Sequence, residues 1–203
     1  MRFVGGAKGE LSILGGWQWD ASVQFSRSDG DYKDAVIFAD AITDQQFRSS
    51  LCAGTLTRYR GAPCVDINWY DPSFLAGNIT PEQKAFLFGT AKGNTVYEQT
   101  SFEAYVTGDL FQLPAGPVSA AFGGLYQEDS IEDVPDQVIQ DAEAWGDTTA
   151  GITTGEDTTT AAYVEVGVPL LADMRLFEQF TLNLSVRYND VESYGAKSTY
   201  KVG

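Results

Sequence analysis

Strict two-residue alternation over long stretches constrains this chain more than any other feature, and residues 101–128 carry it best. Phe102, Ala104, Val106, Gly108 and Leu110 alternate with Ser101, Glu103, Tyr105, Thr107 and Asp109, so one side of an extended chain is apolar and the other bears carboxylates and hydroxyls. After Leu113 the run Pro114-Ala115-Gly116-Pro117 reverses the chain, because proline presets φ and glycine can take φ > 0. The return arm sets Val118, Ala120, Phe122, Gly124 and Tyr126 against Ser119, Ala121, Gly123, Leu125 and Gln127. This is strand periodicity. Each arm reaches the roughly 9–11 residues that a tilted strand needs to cross a bilayer. A soluble antiparallel sheet with one wet face has the same alternation, so the hairpin alone leaves both readings open.

Further stretches repeat the pattern. Residues 2–11 alternate loosely and are rich in glycine. From Trp17 the alternation sharpens, with Trp17, Trp19, Ala21, Val23 and Phe25 on one side and Gln18, Asp20, Ser22, Gln24 and Ser26 on the other. Two tryptophans at a strand start suit a membrane interface, which accommodates an apolar ring and a polar N–H together. A second hairpin opposes Ala162, Val164, Val166, Val168 and Leu170 to Tyr163, Glu165, Gly167 and Pro169. Its return arm opposes Phe180, Leu182, Leu184, Val186 and Tyr188 to Thr181, Asn183, Ser185, Arg187 and Asn189. Residues 191–196 turn the chain again, and 198–203 begin one more strand.

Two stretches break the rhythm, at about 28–96 and 129–157, for far longer than strands usually need for a connection. In the first, Ala35, Phe38, Ala39, Ile42 and Phe47 have helical spacing within 34–47. There too, Thr80-Pro81-Glu82-Gln83 reads as an N-cap with proline at the first helical position and a capping-box glutamine. Cys52 and Cys64 sit in this stretch and read as a disulfide worth about 3 kcal/mol on the chain-entropy model, with two independent thiols as the alternative. The second stretch holds ten acids between Glu128 and Asp157 and no basic residue. Dense carboxylates can hold Ca²⁺, but no D-x-D-x-D-G run is present, and a solvated loop is the simpler reading.

Charge excludes whole classes of function. The net charge is −15, and the segment between Lys92 and Arg175 has fifteen acids and no base, so the excess is local. Nucleic-acid binding needs clustered Lys and Arg and is disfavoured. With no His and two Cys a zinc site of the usual kind cannot be assembled, and no metal or cofactor is expected. No His is available as a general base, and carboxylates such as Asp20, Glu103 and Asp109 are accounted for by a wet face, so no catalytic residue is expected. No run of about 18 apolar residues exists to form a membrane helix, and residues 1–6 have no apolar export-signal core.

Connection lengths separate the remaining readings. Turns after the first, third and fifth strands (12–16, 114–117 and 172–179) are short, whereas those after the second and fourth are very long. That sorting is the signature of an outer-membrane barrel, with short periplasmic turns and long extracellular loops. The rivals are a passive porin and a soluble extracellular β-sandwich binding module.

At this point the chain resembles the β-barrel region of TonB-dependent outer-membrane receptors, particularly those of alphaproteobacteria. The matching stretches are Trp17-Gln-Trp-Asp20, Cys52 with Cys64-Val-Asp-Ile-Asn68, Ile79-Thr-Pro-Glu-Gln83, Val106 through Pro117, Val168-Pro-Leu-Leu171 and Leu182-Asn-Leu-Ser-Val-Arg-Tyr188. The resemblance implies an all-β fold: a partial antiparallel transmembrane barrel, about seven strands of one with about 22, with short helices in its extracellular loops. Residues 1–203 would be a fragment of the barrel domain, with no plug domain. It would belong to an active-transport receptor in the outer membrane of a Gram-negative bacterium. Its cargo would be a scarce nutrient such as a ferric siderophore, cobalamin, another metal chelate or an oligosaccharide. Implied partners are outer-membrane lipid, lipopolysaccharide and, through the plug and TonB box, the TonB–ExbB–ExbD system. Phe102, Val106, Phe122, Val164, Val166, Leu182 and Leu184 would face lipid. Glu103, Asp109, Glu165, Asn183 and Arg187 would line the lumen, and Cys52–Cys64 would staple an extracellular loop. Leu125 and Gln127 stand where such receptors often carry Glu and Arg, so the luminal ion pair expected there is lost.

Overall fold

A computed structural model describes residues 1–12, 15–43, 51–174 and 177–203. Among them, seven strands form one antiparallel sheet in chain order: β1 (Arg2–Leu11), β2 (Trp17–Ile37), β3 (Phe88–Leu113), β4 (Gly116–Val134), β5 (Thr153–Met174), β6 (Phe177–Val191) and β7 (Gly195–Val202). The all-β expectation therefore holds. Four short helices accompany them: α1 (Ala39–Thr43), α2 (Pro72–Leu75), α3 (Pro81–Leu87) and α4 (Gln137–Gln140). Parts of the expected turns at 12–16 and 172–179, and the end of the expected helix over 34–47, lie outside the described residues.

The chain divides into two compact units. The first comprises Met1–Ser28, Tyr97–Ile131 and Gly155–Gly203. Its registers run without a break from Arg2↔Ser26 to Leu11↔Trp17 and from Leu184↔Val202 to Val191↔Gly195. Between β5 and β6 one irregularity falls at Pro169/Leu171, bringing Leu171 opposite Phe180. A bulge is where proline is tolerated, since it has no N–H to give the ladder. The turn from β3 to β4 is tighter than its sequence implied: only residues 114–115 lie outside the strands, and Gly116 takes φ +134°, a conformation that side chains rarely adopt.

The second unit comprises Asp29–Val96 and Glu132–Thr154. Here the strands are longer than alternation indicated, with β2 reaching Ile37, β3 starting at Phe88, β4 ending at Val134 and β5 starting at Thr153. The expected helix over 34–47 is thus a strand to Ile37, and among its described residues Ala39–Thr43 are helical. These ends carry no two-residue period and are mostly polar; Val36 and Ala91 are buried with Val138 and Ala144. What holds them is pairing: Asn94 Nδ2 donates to Asp29 Oδ1 and Asp31 Oδ1 (2.9 and 3.0 Å), and Thr95 Oγ1 to Asp133 Oδ1 (2.5 Å). Tyr32 and Phe38 lay their rings where Gly93 and Gly89 lack a side chain.

The rest of this unit is a small folded body. Ala41, Ile42, Cys52, Cys64, Ile67, Phe86 and Leu87 form its buried core, with Phe38, Trp69 and Phe74 packed against it. Cys52 and Cys64 are disulfide-bonded, as expected, with Cα atoms 5.7 Å apart. The capping box of α3 is complete: Gln83 N donates to Thr80 Oγ1 (3.2 Å) and Thr80 N to Gln83 Oε1 (3.0 Å), with Pro81 opening the helix. Asp40 is buried (3% exposed) and accepts from Arg60 Nε at 2.8 Å and Arg60 N at 3.0 Å. Arg60 Nη2 also lies 2.8 Å from Asp40 Oδ1 but without hydrogen-bond alignment, so that contact is Coulombic only. The guanidinium sits 3.8 Å from the centroid of the Phe38 ring.

Burial alone raises the pKa of Asp40, yet hydrogen bonds from Arg60 and Thr57 outweigh it and hold the carboxyl below its ordinary value. A folded-state pKa below the unfolded one, about 3.9, means that the ionised carboxylate stabilises the unit above pH ~4. That stability is lost as pH falls through the folded value. Hydrogen exchange of residues 51–68 between pH 6 and 3 is expected to show protection falling below pH ~4. In Asp40→Asn this dependence is expected to be largely gone, with protection lower at pH 6 by about 3 kcal/mol.

Candidate functional site: the two faces of the sheet

In the first unit, residues directly opposite one another across a ladder share a face, so the registers fix which side chains stand together. Phe3, Gly5, Ala7, Gly9 and Leu11 of β1 share a face with Phe25, Val23, Ala21, Trp19 and Trp17 of β2. Trp17 extends that face across two more strands. Its ring covers Gly108 of β3, where a Cβ would lie 2.5 Å from Cγ, and stacks on Phe122 of β4 with centroids 5.9 Å apart and planes at 16°. Its Nε1 donates to Asp109 O (3.1 Å), so the indole is held at its polar end as well. On the far side Val164, Val166 and Val168 pair with Val186, Leu184 and Leu182, and Val186 and Leu184 with Tyr200 and Val202.

The apolar rows match in length. They run from Phe3 to Leu11, Trp17 to Phe25, Phe102 to Leu110, Val118 to Tyr126 and Phe180 to Tyr188, nine residues in each of five strands, and in β5 from Ala162 to Val168, resuming past the irregularity at Leu171 opposite Phe180. Polar residues follow at the same parity: Arg27, Glu98, Glu128, Thr160 and Asp190. Arg27 Nη1 and Glu98 Oε1 form an ion pair at 2.6 Å. Within the rows, Phe102, Phe122, Val164 and Leu184 are exposed, while Val106, Val166 and Leu182 are partly covered by neighbours. Phe180 (51%) and Val186 (55%) are exposed too, so the face is open. Trp19, Ala21, Ala104, Val106 and Phe122 outline a shallow groove of about 450 Å³ in it.

The other face is polar. Glu165 opposes Ser185, Gly167 opposes Asn183 and Tyr163 opposes Arg187, whose guanidinium lies 6.0 Å from the Tyr163 ring centroid. Arg187 Nε donates to Asn189 Oδ1 (2.8 Å). Tyr163 covers Gly123 of β4, and Glu103 and Glu165 lie within electrostatic reach of it. Thr107, Ser119, Glu165, Gly167, Asn183 and Lys201 line a hollow of about 330 Å³. Lys8, Glu10, Gln18, Asp20, Tyr105 and Thr107 line a second, of about 540 Å³. Glu165, Asn183, Arg187 and Glu103 thus gather on one side of the sheet; Asp109 shares their parity and is exposed.

Sequence reasoning missed a hydrogen-bonded crossbar over four strands on this face. Arg2 Nη2 donates to Gln24 Oε1 (2.5 Å), Gln24 Nε2 to Gln99 Oε1 (3.4 Å) and Gln99 Nε2 to Asp129 Oδ1 (2.7 Å). Tyr97 Oη (2.5 Å) and Gln127 Nε2 (2.7 Å) also donate to Asp129. Burial raises the pKa of Asp129, but the donors Gln127, Tyr97 and Gln99 outweigh it and keep the carboxyl low. Tyr97 is held above its ordinary value, chiefly by its hydrogen bond to that carboxylate. The available signal was Gln24 and Gln127 within the polar rows of β2 and β4, with Gln99 and Asp129 just past those of β3 and β4.

Among the described residues no three His, Cys, Asp or Glu side chains converge as metal ligands, and no helix is long and apolar enough to cross a membrane, which says nothing of strands. Comparison with known proteins finds no matching family model, no similar curated protein and no similar solved structure. Trp17 over Gly108 generates a prediction. Gly108→Val displaces the indole and is expected to cost about 1–3 kcal/mol in denaturant unfolding, with a shift in tryptophan emission; Gly151→Ala, with nothing within 4 Å, is expected to be neutral.

Proposed function

We propose that this chain is part of the wall of a transmembrane β-barrel, and that the barrel is an outer-membrane active-transport receptor importing a scarce nutrient with TonB-transduced energy. The observation that carries the barrel reading is the set of matched nine-residue apolar rows on one open face, backed by a polar face. Nine residues rise about 27 Å along a strand. At the usual tilt of 35–45° that gives roughly 20 Å of height, close to the apolar band of outer-membrane barrels. Aqueous monomers rarely expose so contiguous an apolar face.

In this reading Phe102, Val106, Phe122, Val164, Val166, Leu182 and Leu184 meet lipid, and Glu103, Asp109, Glu165, Asn183 and Arg187 meet the lumen. The long connections 38–87 and 135–152 are extracellular, and the turn at 114–115 and the connection between β5 and β6 periplasmic. The disulfide-stapled body then offers a rigid cargo-facing surface. The connection 192–194 is short on the same side, so length sorting rests on the first two. The receptor class rests on the family resemblance of the ordered motifs, and the cargo classes remain the nutrients named with it.

Single cysteines at Val164, Leu184, Glu165 and Asn183, labelled with a polarity-sensitive dye after folding the chain into phosphatidylcholine vesicles, test the wall. Blue-shifted emission is expected at Val164 and Leu184, and water-like emission at Glu165 and Asn183. Equal emission at all four sites would remove the barrel reading. Sequencing the gene on both sides tests the receptor: a plug-encoding region upstream and further alternating strands downstream are expected, and stop codons in their place would end the transport proposal.

A further inference from the structure

Within the second unit, Ala142 holds a backbone conformation that its side chain disfavours. It follows α4, whose end is closed by Ala142 N donating to Ile139 O (3.2 Å) and Glu143 N to Val138 O (2.9 Å). These are the two bonds of a Schellman closure, which needs a left-handed residue, usually glycine. Ala142 supplies it at φ 60°. Among the described residues the other non-glycine at positive φ is Asp173, whose short polar side chain suits that region. An alanine there is strained, and such residues persist where their surroundings over-determine them, often at clamps and switches.

What holds Ala142 is the grip of the residues around it on the strip 36–39. Ala39 N donates to Glu143 O (2.8 Å) and Trp145 N to Ile37 O (2.7 Å), with Phe38 and Ala144 as the bridged pair. Ala144 is buried with Val36, Ala91 and Val138. From the stapled body Tyr59 Oη donates to Asp141 Oδ2 (2.8 Å), and Tyr59 is exposed, so water competes for this latch. Upstream, Asp136 caps α4 and accepts from Lys92 N (2.8 Å), which anchors that end to β3. Downstream, residues 145–152 are exposed throughout. The body is held otherwise: Phe38 N donates to Leu87 O (2.8 Å), Cys52 is linked to Cys64 and Asp40 is paired with Arg60. None of these ties includes a residue of 141–152.

We propose that residues 141–152 are a strap poised to lift from the strip 36–39, hinged where Asp136 anchors α4, while the stapled body stays folded. The strain at Ala142 favours release, and the Phe38–Ala144 bridge and the Tyr59 latch favour closure. Lifting lets Ala142 leave the left-handed region. It also uncovers Val36 and Ala91, together with the N–H of Ala39 and the C=O of Ile37. Local opening of this kind follows the segment with the fewest buried contacts, not the whole fold. The inference does not rest on the barrel reading, since strap, strip and body all belong to one compact unit.

Residue-resolved hydrogen exchange of the full chain in dodecylphosphocholine micelles tests the strap. The amides of Ala39 and Trp145, which bond across the bridge, report its opening; those of Phe38, Thr57 and Cys64, bonded to Leu87, Ala62 and Thr55, report the body. Ala39 and Trp145 are expected to share one protection factor, at least about tenfold below that of the body amides. Tyr59→Phe removes the latch and is expected to lower protection of Ala39 and Trp145 about threefold to tenfold, with the body amides unchanged. Ala142→Gly removes the strain and is expected to raise protection of the same two amides about threefold. Equal protection of strap and body in the wild-type chain, or a Tyr59→Phe shift shared by both, would overturn the proposal. So would Ala142→Gly leaving the two bridge amides unchanged or less protected.

Discussion

Register is the constraint on which everything else in the sheet depends. A slip of one residue between any two strands would send an entire apolar row to the polar face. Backbone hydrogen bonds do not prevent this, since a slipped ladder is as well bonded as a correct one. What prevents it is side-chain shape. Trp19 occupies the space left by Gly9, Trp17 that left by Gly108 and Tyr163 that left by Gly123. Each ring fits only where its neighbour has no Cβ, so the glycines that would weaken an ordinary strand serve here as sockets. The tight reversal at 114–115 fixes one junction, and the Pro169/Leu171 irregularity shifts register once, next to a proline that has no N–H to give the ladder.

The unit of Asp29–Val96 and Glu132–Thr154 is held by different means. Its buried core is small and would not by itself order so long a segment. The Cys52–Cys64 link removes chain entropy, and Asp66 closes the same region by accepting from Cys52 N (2.5 Å) and Ala53 N (3.2 Å). Asp40 and Arg60 add a buried pair whose guanidinium also covers Phe38. Burying such a pair gains little net energy, but removing one partner strands a charge. The pair therefore makes the folded arrangement specific rather than merely stable.

The parts of the structure legible in the sequence are those carried by local period or local chemistry. Alternation located all seven strands, the Thr80-Pro81-Glu82-Gln83 signature located α3, and the spacing of Cys52 and Cys64 located the disulfide. Faces could be assigned because parity is a local property. What was not legible depends on partners distant in sequence. The strand ends at 29–37 and 88–96 carry mostly polar side chains without a period, so what reveals them as paired is the hydrogen bonding of Asn94 and Thr95, the rings of Tyr32 and Phe38 and the burial of Val36 and Ala91 against Val138 and Ala144. Over residues 34–37 the helical spacing was overridden by that pairing, while Ala39–Thr43 are helical. The crossbar needs the relative register of four strands, which no single stretch contains.

That crossbar also shows how the polar face of β1–β4 is held by hydrogen bonds from neutral side chains. Gln127 stands where a charged pair was expected, and its amide instead donates to Asp129, which takes three hydrogen bonds from neutral side chains. A row of amides costs less to desolvate than a row of charges, and each amide both accepts and donates, passing one ordered chain from Arg2 to Asp129. Only its ends are ionised, one in β1 and the other in β4. Moving Gln24 or Gln99 by one position would put that amide on the apolar face and break the chain, and moving Gln99 would also take a donor from Asp129. The network is therefore an independent lock on the register that the sockets of the other face also require.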